Sequence, residues 1–393
     1  MYTKPVSFAD TAPAAATVRH IDECPLHCHE DVIEIILVLQ GTVQVKISFE
    51  YFTLHTGDYV IVNKEDSHKI WRLNEEDNIV AVFHIRLPPF RTVFPHLDYV
   101  LFACESFDLA NYKGQTAKLR LLLLNLLESL QQNDDTAAEQ TAKITGQLMQ
   151  VLVEEYSLER YYNRSQDIDA DKRETYYAII RHIYENYQDK NLLQDISRRK
   201  FYSESYISHL FREVSAASFQ DMLGYIRVFR AERLLLETNQ TLALIAKECG
   251  FSDSKYFNRT FQKWFRQKPS AYRKTYQPEI ARDIRAVTID NAKVKEKIRY
   301  WENQEDRTSE YRLSITPITL KNIGSKRDLI YTPDPTDLAA PPSAASRDKD
   351  GGVYALLRVG GGDNPEKARK QLEQTLRLLQ QQTDGDLEYW FVK

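Results

Sequence analysis

Cysteine is scarce: 393 residues hold four, too few for a disulfide framework in a chain this long, so a reducing cytoplasm is the expected home. No apolar run approaches the roughly 20 residues that a membrane-spanning helix needs. The leucine-rich stretch LRLLLLNLLESL, residues 119–130, is short and soon turns polar. The first twenty residues lack the apolar segment of a signal peptide, so neither export nor a membrane partner is expected. What remains is 42% hydrophobic and 27% charged, the profile of a globular protein. Its length exceeds one ordinary core and predicts two or three domains.

A net charge of −4 conceals an asymmetry. Residues 190–274 carry sixteen Lys and Arg against eight Asp and Glu, and the rest of the chain is acidic. A basic segment inside an acidic chain points to a polyanionic partner.

Patterning divides the chain. Over residues 32–87 short apolar stretches (VIEIILVLQG, TVQVKISFEYFTL, GDYVIVN, HKIWRL, NIVAVFHIRL) alternate with turn residues. The two-residue period of Val43, Val45, Ile47 and Phe49 predicts half-buried strands in an antiparallel sandwich or barrel. Residues 119–132 and 137–156 then show helical spacing, with QQNDD as the turn between them. Their apolar faces suit either packing on the barrel or a dimer interface. Residues 175–274 read as short helices, with Ser203 and Ser252 as start signals and a long helix over 219–237. This pattern predicts two helix-turn-helix units. Residues 333–352 have the composition of a flexible linker, and strand, helix and strand are expected after it.

The stretch CPLHCHEDVIEI, residues 24–35, concentrates metal-ligand chemistry. Imidazole and carboxylate groups at short spacing can share one ion. A zinc knuckle through Cys24, His27, Cys28 and His29 would strain one tetrahedral site, and no second Cys/His pair follows at finger spacing. The spacing H-x-H-x4-E-x6-G, from His27, His29 and Glu34 to Gly41, resembles the first motif of the cupin superfamily. Gly57 and His68 keep the spacing of its second motif, while Asn63, Glu65 and Arg72 depart from it. The resemblance implies a small β-barrel in which His27, His29, Glu34 and His68 line an effector pocket or hold a divalent metal. A metal-dependent enzyme is the competing expectation.

In the second half, Ile196, Ile207, Leu210 and Phe211 stand where a first helix-turn-helix needs its core, and Ile245, Ala246, Phe257 and Phe261 where a second does. Gly250 suits a left-handed turn position between them. The run TLALIAKECGFSDSKYFNRTFQKWFRQKPSAYRK, residues 241–274, resembles the signature of the AraC/XylS family of transcription regulators. Matching residues include Ile245, Ala246, Gly250, Phe251, Tyr256 and Phe257, and Arg227, Ala231, Leu234 and Leu235 match in the preceding helix. Gln262, Arg266 and Ala216 depart from the pattern.

The resemblance implies double-stranded DNA as a partner, read by Ser205, Ser208, His209 and Arg212 on one helix and by Ser254, Lys255, Asn258 and Arg259 on the other. Arg and Lys pair with guanine and Asn with adenine. Lys263 and Lys268 are expected on phosphates. The resemblance also implies RNA polymerase as a partner, a homodimer, and a small-molecule effector. A faint likeness of the C-terminal tail to regulators with a glycosidase-like barrel tilts that effector towards a sugar. No catalytic pair is assignable. The expected architecture is multidomain: a cupin-like β-barrel effector domain (1–95), a helical dimerisation segment (96–165), an all-α double helix-turn-helix domain (172–276) and a small α/β C-terminal segment (282–393).

Overall fold

The computed structural model describes residues 2–9, 12–73, 75, 77–102, 115–132, 135–159, 168–200, 202–215, 217–302, 312–318 and 354–360. Seven strands build the N-terminal half: β1 (Ala14–His27), β2 (Val32–Gln40), β3 (Thr42–Ile47), β4 (Glu50–His55), β5 (Tyr59–Val62), β6 (His68–Arg72) and β7 (Ile79–Arg86). They pair antiparallel in the order β4-β3-β6-β1-β7-β2-β5 and curl into a nearly closed barrel.

Strand β2 explains the layering. It is buried on both faces, which is why its sequence is almost continuously apolar. Ile33, Ile35, Leu37 and Leu39 join a core shared with helices, whereas Ile36 and Val38 join the barrel interior with Val45, Ile70 and Val82. The two-residue period therefore sets Glu34 on the interior face. The stretch TVQVKISFEYFTL folds as two strands, because Ser48 takes a φ of 49° and reverses the chain between β3 and β4.

Helices α1 (Gln115–Ser129) and α2 (Asp135–Glu155) pack on that outer core. Leu119, Leu123, Leu126 and Leu127 of α1 and Leu148 and Leu152 of α2 are fully buried within this one chain. Most of their apolar surface is thus spent on the protomer's own core.

The helical half comprises α3 (Ala170–Asn186), α4 (Leu192–Lys200), α5 (Glu204–Ser215), α6 (Phe219–Glu237), α7 (Leu242–Glu248), α8 (Ser254–Phe265) and α9 (Pro269–Tyr276). Helix α6 occupies the range expected of it and serves both units. Its first half packs Phe219, Leu223 and Ile226 with Ile207, Leu210 and Phe211; its second packs Val228, Ala231 and Leu235 with Ile245, Phe257 and Phe261. Arg227 donates to the carbonyls of Tyr187 (2.8 Å) and Asp189 (2.8 Å), just past the end of α3.

Local signals hold the helix ends. Ser203 accepts the amide of Tyr206 at 3.1 Å and starts α5. Helix α8 is capped by Asp253, one residue beyond the expected Ser252: its carboxylate accepts the amide of Tyr256 at 2.7 Å, and Ser252 donates to that carboxylate at 3.0 Å. Gly250 adopts the left-handed φ of 76° between the helices of the second unit.

The chain then returns to the barrel. Strand β8 (Arg285–Thr288) pairs with β1, and α10 (Asn291–Glu302) brings Trp301 over Gly57, its indole donating to the carbonyl of Leu39 at 3.3 Å. Residues 285–302, placed by the sequence in a C-terminal extension, thus pair and pack with the barrel. Beyond them β9 (Arg312–Ile318) pairs antiparallel with β10 (Tyr354–Gly360). The expected linker at 333–352, the expected helix and last strand after it, and Ala216 lie outside the described residues. Among the described residues no helix is long and apolar enough to cross a membrane.

Candidate functional site

A bulge aims the first ligand. The register of β1 against β6 shifts between Cys24 and His27. Cys24 faces the barrel interior, while Leu26 and Cys28 face the core of the helical half. The extra residue turns His27 inward opposite His68, with ring centroids 4.1 Å apart. His29 lies just beyond β1, beside both rings.

Three histidines are oriented alike. Nδ1 of His27 lies 2.8 Å from the carbonyl of Pro25, that of His29 2.6 Å from Lys4, and that of His68 3.1 Å from Asp66. A carbonyl only accepts, so each Nδ1 carries a proton, and in the neutral ring each Nε2 presents a lone pair. Those of His29 and His68 meet the Glu34 carboxylate at 3.1 and 3.2 Å. Oε1 of Glu34 and Nε2 of His68, both buried, make no hydrogen bond despite their proximity. Two acceptors facing each other call for a cation between them or a proton on the ring.

Electrostatics follow from burial and neighbours. Burial, then the charge of His68, holds the His27 imidazole well below its ordinary value. Burial would raise Glu34, but the charge that His68 takes when protonated and the close approach of His29 and His84 outweigh it and hold the carboxyl well below the usual range. Burial likewise opposes the rise of His68, which Glu34 imposes.

His27, His29, Glu34 and His68 form the one group of His, Cys, Asp and Glu among the described residues placed to share an ion, with donor atoms within 4.8 Å of one another. The donor set fits a divalent metal: three Nε2 atoms, a carboxylate, and backbone carbonyls fixing every ring. A bound ion would supply the positive charge that the facing acceptors lack. The zinc-knuckle arrangement is not assembled. Burial pushes the Cys24 thiol to about 11 and the Cys28 thiol to about 12, and the two face different cores.

Sequence reasoning missed His84, whose Nε2 reaches Glu34 at 2.9 Å. The signal was available: Val80 and Val82 line the interior, and His84 is next in that period. A groove of about 560 Å³ opens beside the cluster, between Thr3, Lys4, Val6 and Phe8 on one side and Asp31 and Arg86 on the other. Its lining includes none of the four donors; these are buried.

The residues expected to read DNA occupy α5 and α8. Ser205, His209 and Arg212 are exposed on α5 and Ser208 is half-buried; on α8 Lys255 and Arg259 are exposed and Ser254 and Asn258 half-buried. The inward faces carry Ile207, Leu210 and Phe211, and Phe257, Phe261 and Trp264. Asn258 donates to the carbonyl of Ser254 at 2.8 Å, and Arg259 lies over the ring of Tyr256. Lys263 is tied at 2.5 Å to Asp221 of α6, whereas Lys268 is exposed at the start of α9.

Comparison with known proteins agrees with both halves. Residues 196–275 match a model described as a helix-turn-helix domain and residues 17–85 one described as a cupin domain. The chain thus joins a cupin domain to an AraC-type helix-turn-helix domain and is similar to transcription regulators that carry one. It is 25% identical over 271 residues to the HTH-type transcriptional activator RhaR of Mannheimia succiniciproducens, covering 68% of this chain and 94% of that protein. It is 26% identical over 169 residues to the Msm operon regulatory protein of Streptococcus mutans, covering 42% and 59%. Among solved structures, unsaturated fatty acid bound ToxT of Vibrio cholerae is 16% identical, covering 70% of this chain and 99% of that one, at a TM-score of 0.35.

Proposed function

We propose that this protein is a cytoplasmic, sequence-specific DNA-binding regulator whose barrel receives an effector, and that it is not an enzyme. The observation that carries the reading is the pair of recognition helices on one chain, each with an apolar inner face and exposed His, Lys or Arg on its outer face. Such helices suit two successive major grooves, about one DNA turn apart. Arg212, Lys255 and Arg259 suit guanine edges, and Asn258 suits adenine once it releases the Ser254 carbonyl. Ser205, Ser208, His209 and Ser254 complete the two faces; Lys263 and Lys268 serve phosphates.

The cluster of His27, His29, Glu34 and His68 acts as the effector site and takes a divalent ion. Its burial argues against the competing metal-dependent enzyme, which needs an open position for substrate. A sugar or other hydroxylated molecule finds room in the adjoining groove instead. Acting on transcription, the protein works with RNA polymerase, and a homodimer would present its helices to repeated half-sites. Selection of binding sites from random DNA tests the reading. A recovered sequence bound more tightly than random DNA at moderate salt is expected; equal, purely salt-dependent binding to both refutes it.

A further inference from the structure

The barrel segment that carries His68 also grips the helical half. Ser67 donates to the Glu232 carboxylate at 2.6 Å, and Glu65 accepts from Arg230 at 2.7 Å. The amide of Glu65 donates to the carbonyl of His29 at 2.8 Å, and the carbonyl of Asp66 holds Nδ1 of His68. Glu30, next to His29, accepts from Arg233 at 2.7 Å. Two cluster histidines and their immediate neighbours thus meet three side chains within four residues of α6.

These contacts are buried where they matter. Ser67 and His68 are fully buried, and Glu232 is 1% exposed. Glu232 also accepts from Tyr272, whose hydroxyl lies 3.2 Å from the amine of buried Lys46 on β3. The Glu65–Arg230 and Glu30–Arg233 pairs are partly exposed, so the buried Ser67–Glu232 contact limits the arrangement: displacing it leaves a buried carboxylate without that partner. Helix α6 is the common wall of both helix-turn-helix cores, so a shift of its second half alters the placement of α8 relative to α5. Helix shifts of about 1–2 Å at such interfaces are a recurrent form of switching.

We infer that residues Glu65–His68, with Glu30, form a relay through which occupancy of the histidine cluster sets the position of α6 and hence of the two recognition helices. It rests on the reading of the cluster as an effector site and adds the path by which that site acts. His68 and His29 would help hold a bound ion, and any resulting displacement of the segment that joins them would pass through Ser67 and Glu65 to Glu232 and Arg230. Coupling of this kind is reciprocal, so operator DNA changes the affinity of the cluster by the same factor.

Hydrogen exchange on the chelator-treated full chain tests the relay, with Co²⁺ as probe and Glu34→Gln as a perturbation that needs no metal. Exchange in α6 is expected to change about fivefold or more on adding Co²⁺, and on Glu34→Gln without it. Helix α2 serves as the reference, since global loosening would move both helices. In a Glu65→Gln/Ser67→Ala chain, Co²⁺ should still bind and both responses should vanish. Should that double variant fail to fold, Glu65→Gln alone is expected to weaken both. If Co²⁺ does not bind but Glu34→Gln still moves α6, the relay stands and the metal reading falls. If Co²⁺ binds and α6 is indifferent to both perturbations, or if the responses survive in the double variant, the relay is overturned.

Discussion

At Gly250 a single hydrogen atom decides whether the second helix-turn-helix closes. Its φ is 76°, and a Cβ there would lie 2.6 Å from Cα of Gln188 and 2.7 Å from its carbonyl oxygen. Gly250→Ala should cost about 2 kcal/mol or more in urea unfolding, since strain and a backbone clash add. The opposite change applies at Arg266, which ends α8 at a left-handed φ of 54° in a position where glycine is usual. Arg266→Gly should raise stability by about 1 kcal/mol. Both positions were legible in the sequence, one as a glycine kept and the other as a glycine missing. Lys46 was not legible, for nothing in an alternating strand says that a helical domain will cover it. Burial lowers its amine to about 8 against Glu232, Glu279 and Asp66, with Lys69 adding to the fall. An amine whose folded pKa lies below its unfolded value costs most where both states are charged. That penalty is full below pH 8 and fades towards the ordinary 10.5. Stability of the wild type relative to Lys46→Met should therefore rise across this window, by about 3 kcal/mol at most, in melts at successive pH values.

Elements were readable where periodicity was clean. Strands β2 and β5 to β7 and helices α1, α2, α5 and α6 stand close to their expected places, because apolar spacing and caps agree there. Strand β1 went unread: its sequence AAATVRHIDECPLH has no period, since it bulges and pairs with β7, β8 and β6 along its length. The hairpin at Ser48 was hidden for another reason, as its turn uses neither glycine nor proline. The outer faces of α5 and α8 were expected from the family resemblance; Ser205, His209, Arg212, Lys255 and Arg259 are exposed there and Ser208, Ser254 and Asn258 half-buried, and a prediction belongs to them. Arg259→Ala should cost about 1–3 kcal/mol on the selected site and relax its specificity, leaving random DNA nearly unaffected. Lys268→Ala should weaken selected and random DNA alike and reduce the salt slope by about one. Equal loss on both DNAs for Arg259→Ala would remove it from the base-reading set. Lys263 is a poorer probe, because its ion pair with Asp221 joins α8 to α6.

For the whole molecule, the sequence suggested successive domains, but the fold interlocks them. The chain leaves the barrel, builds both helix-turn-helix units and returns through β8 and α10. The helical half is thus tethered to the barrel at both ends, in keeping with a small repositioning of α6 rather than a free swing. The same closure constrains dimerisation. With the main apolar faces of α1 and α2 turned inward, a homodimer must use what they leave outside. Leu121 on α1 is 38% exposed, and Tyr300 on the adjoining α10 is 51% exposed. A two-fold contact centred on these helices would align two copies on repeated half-sites. Sedimentation equilibrium at micromolar concentration should find a dimer in the wild type. Leu121→Glu should return it to a monomer with an unchanged melting temperature, because the substituted side chain already faces solvent. A wild type that remains monomeric on operator DNA would remove the symmetric arrangement, and a Leu121→Glu dimer would move the interface elsewhere.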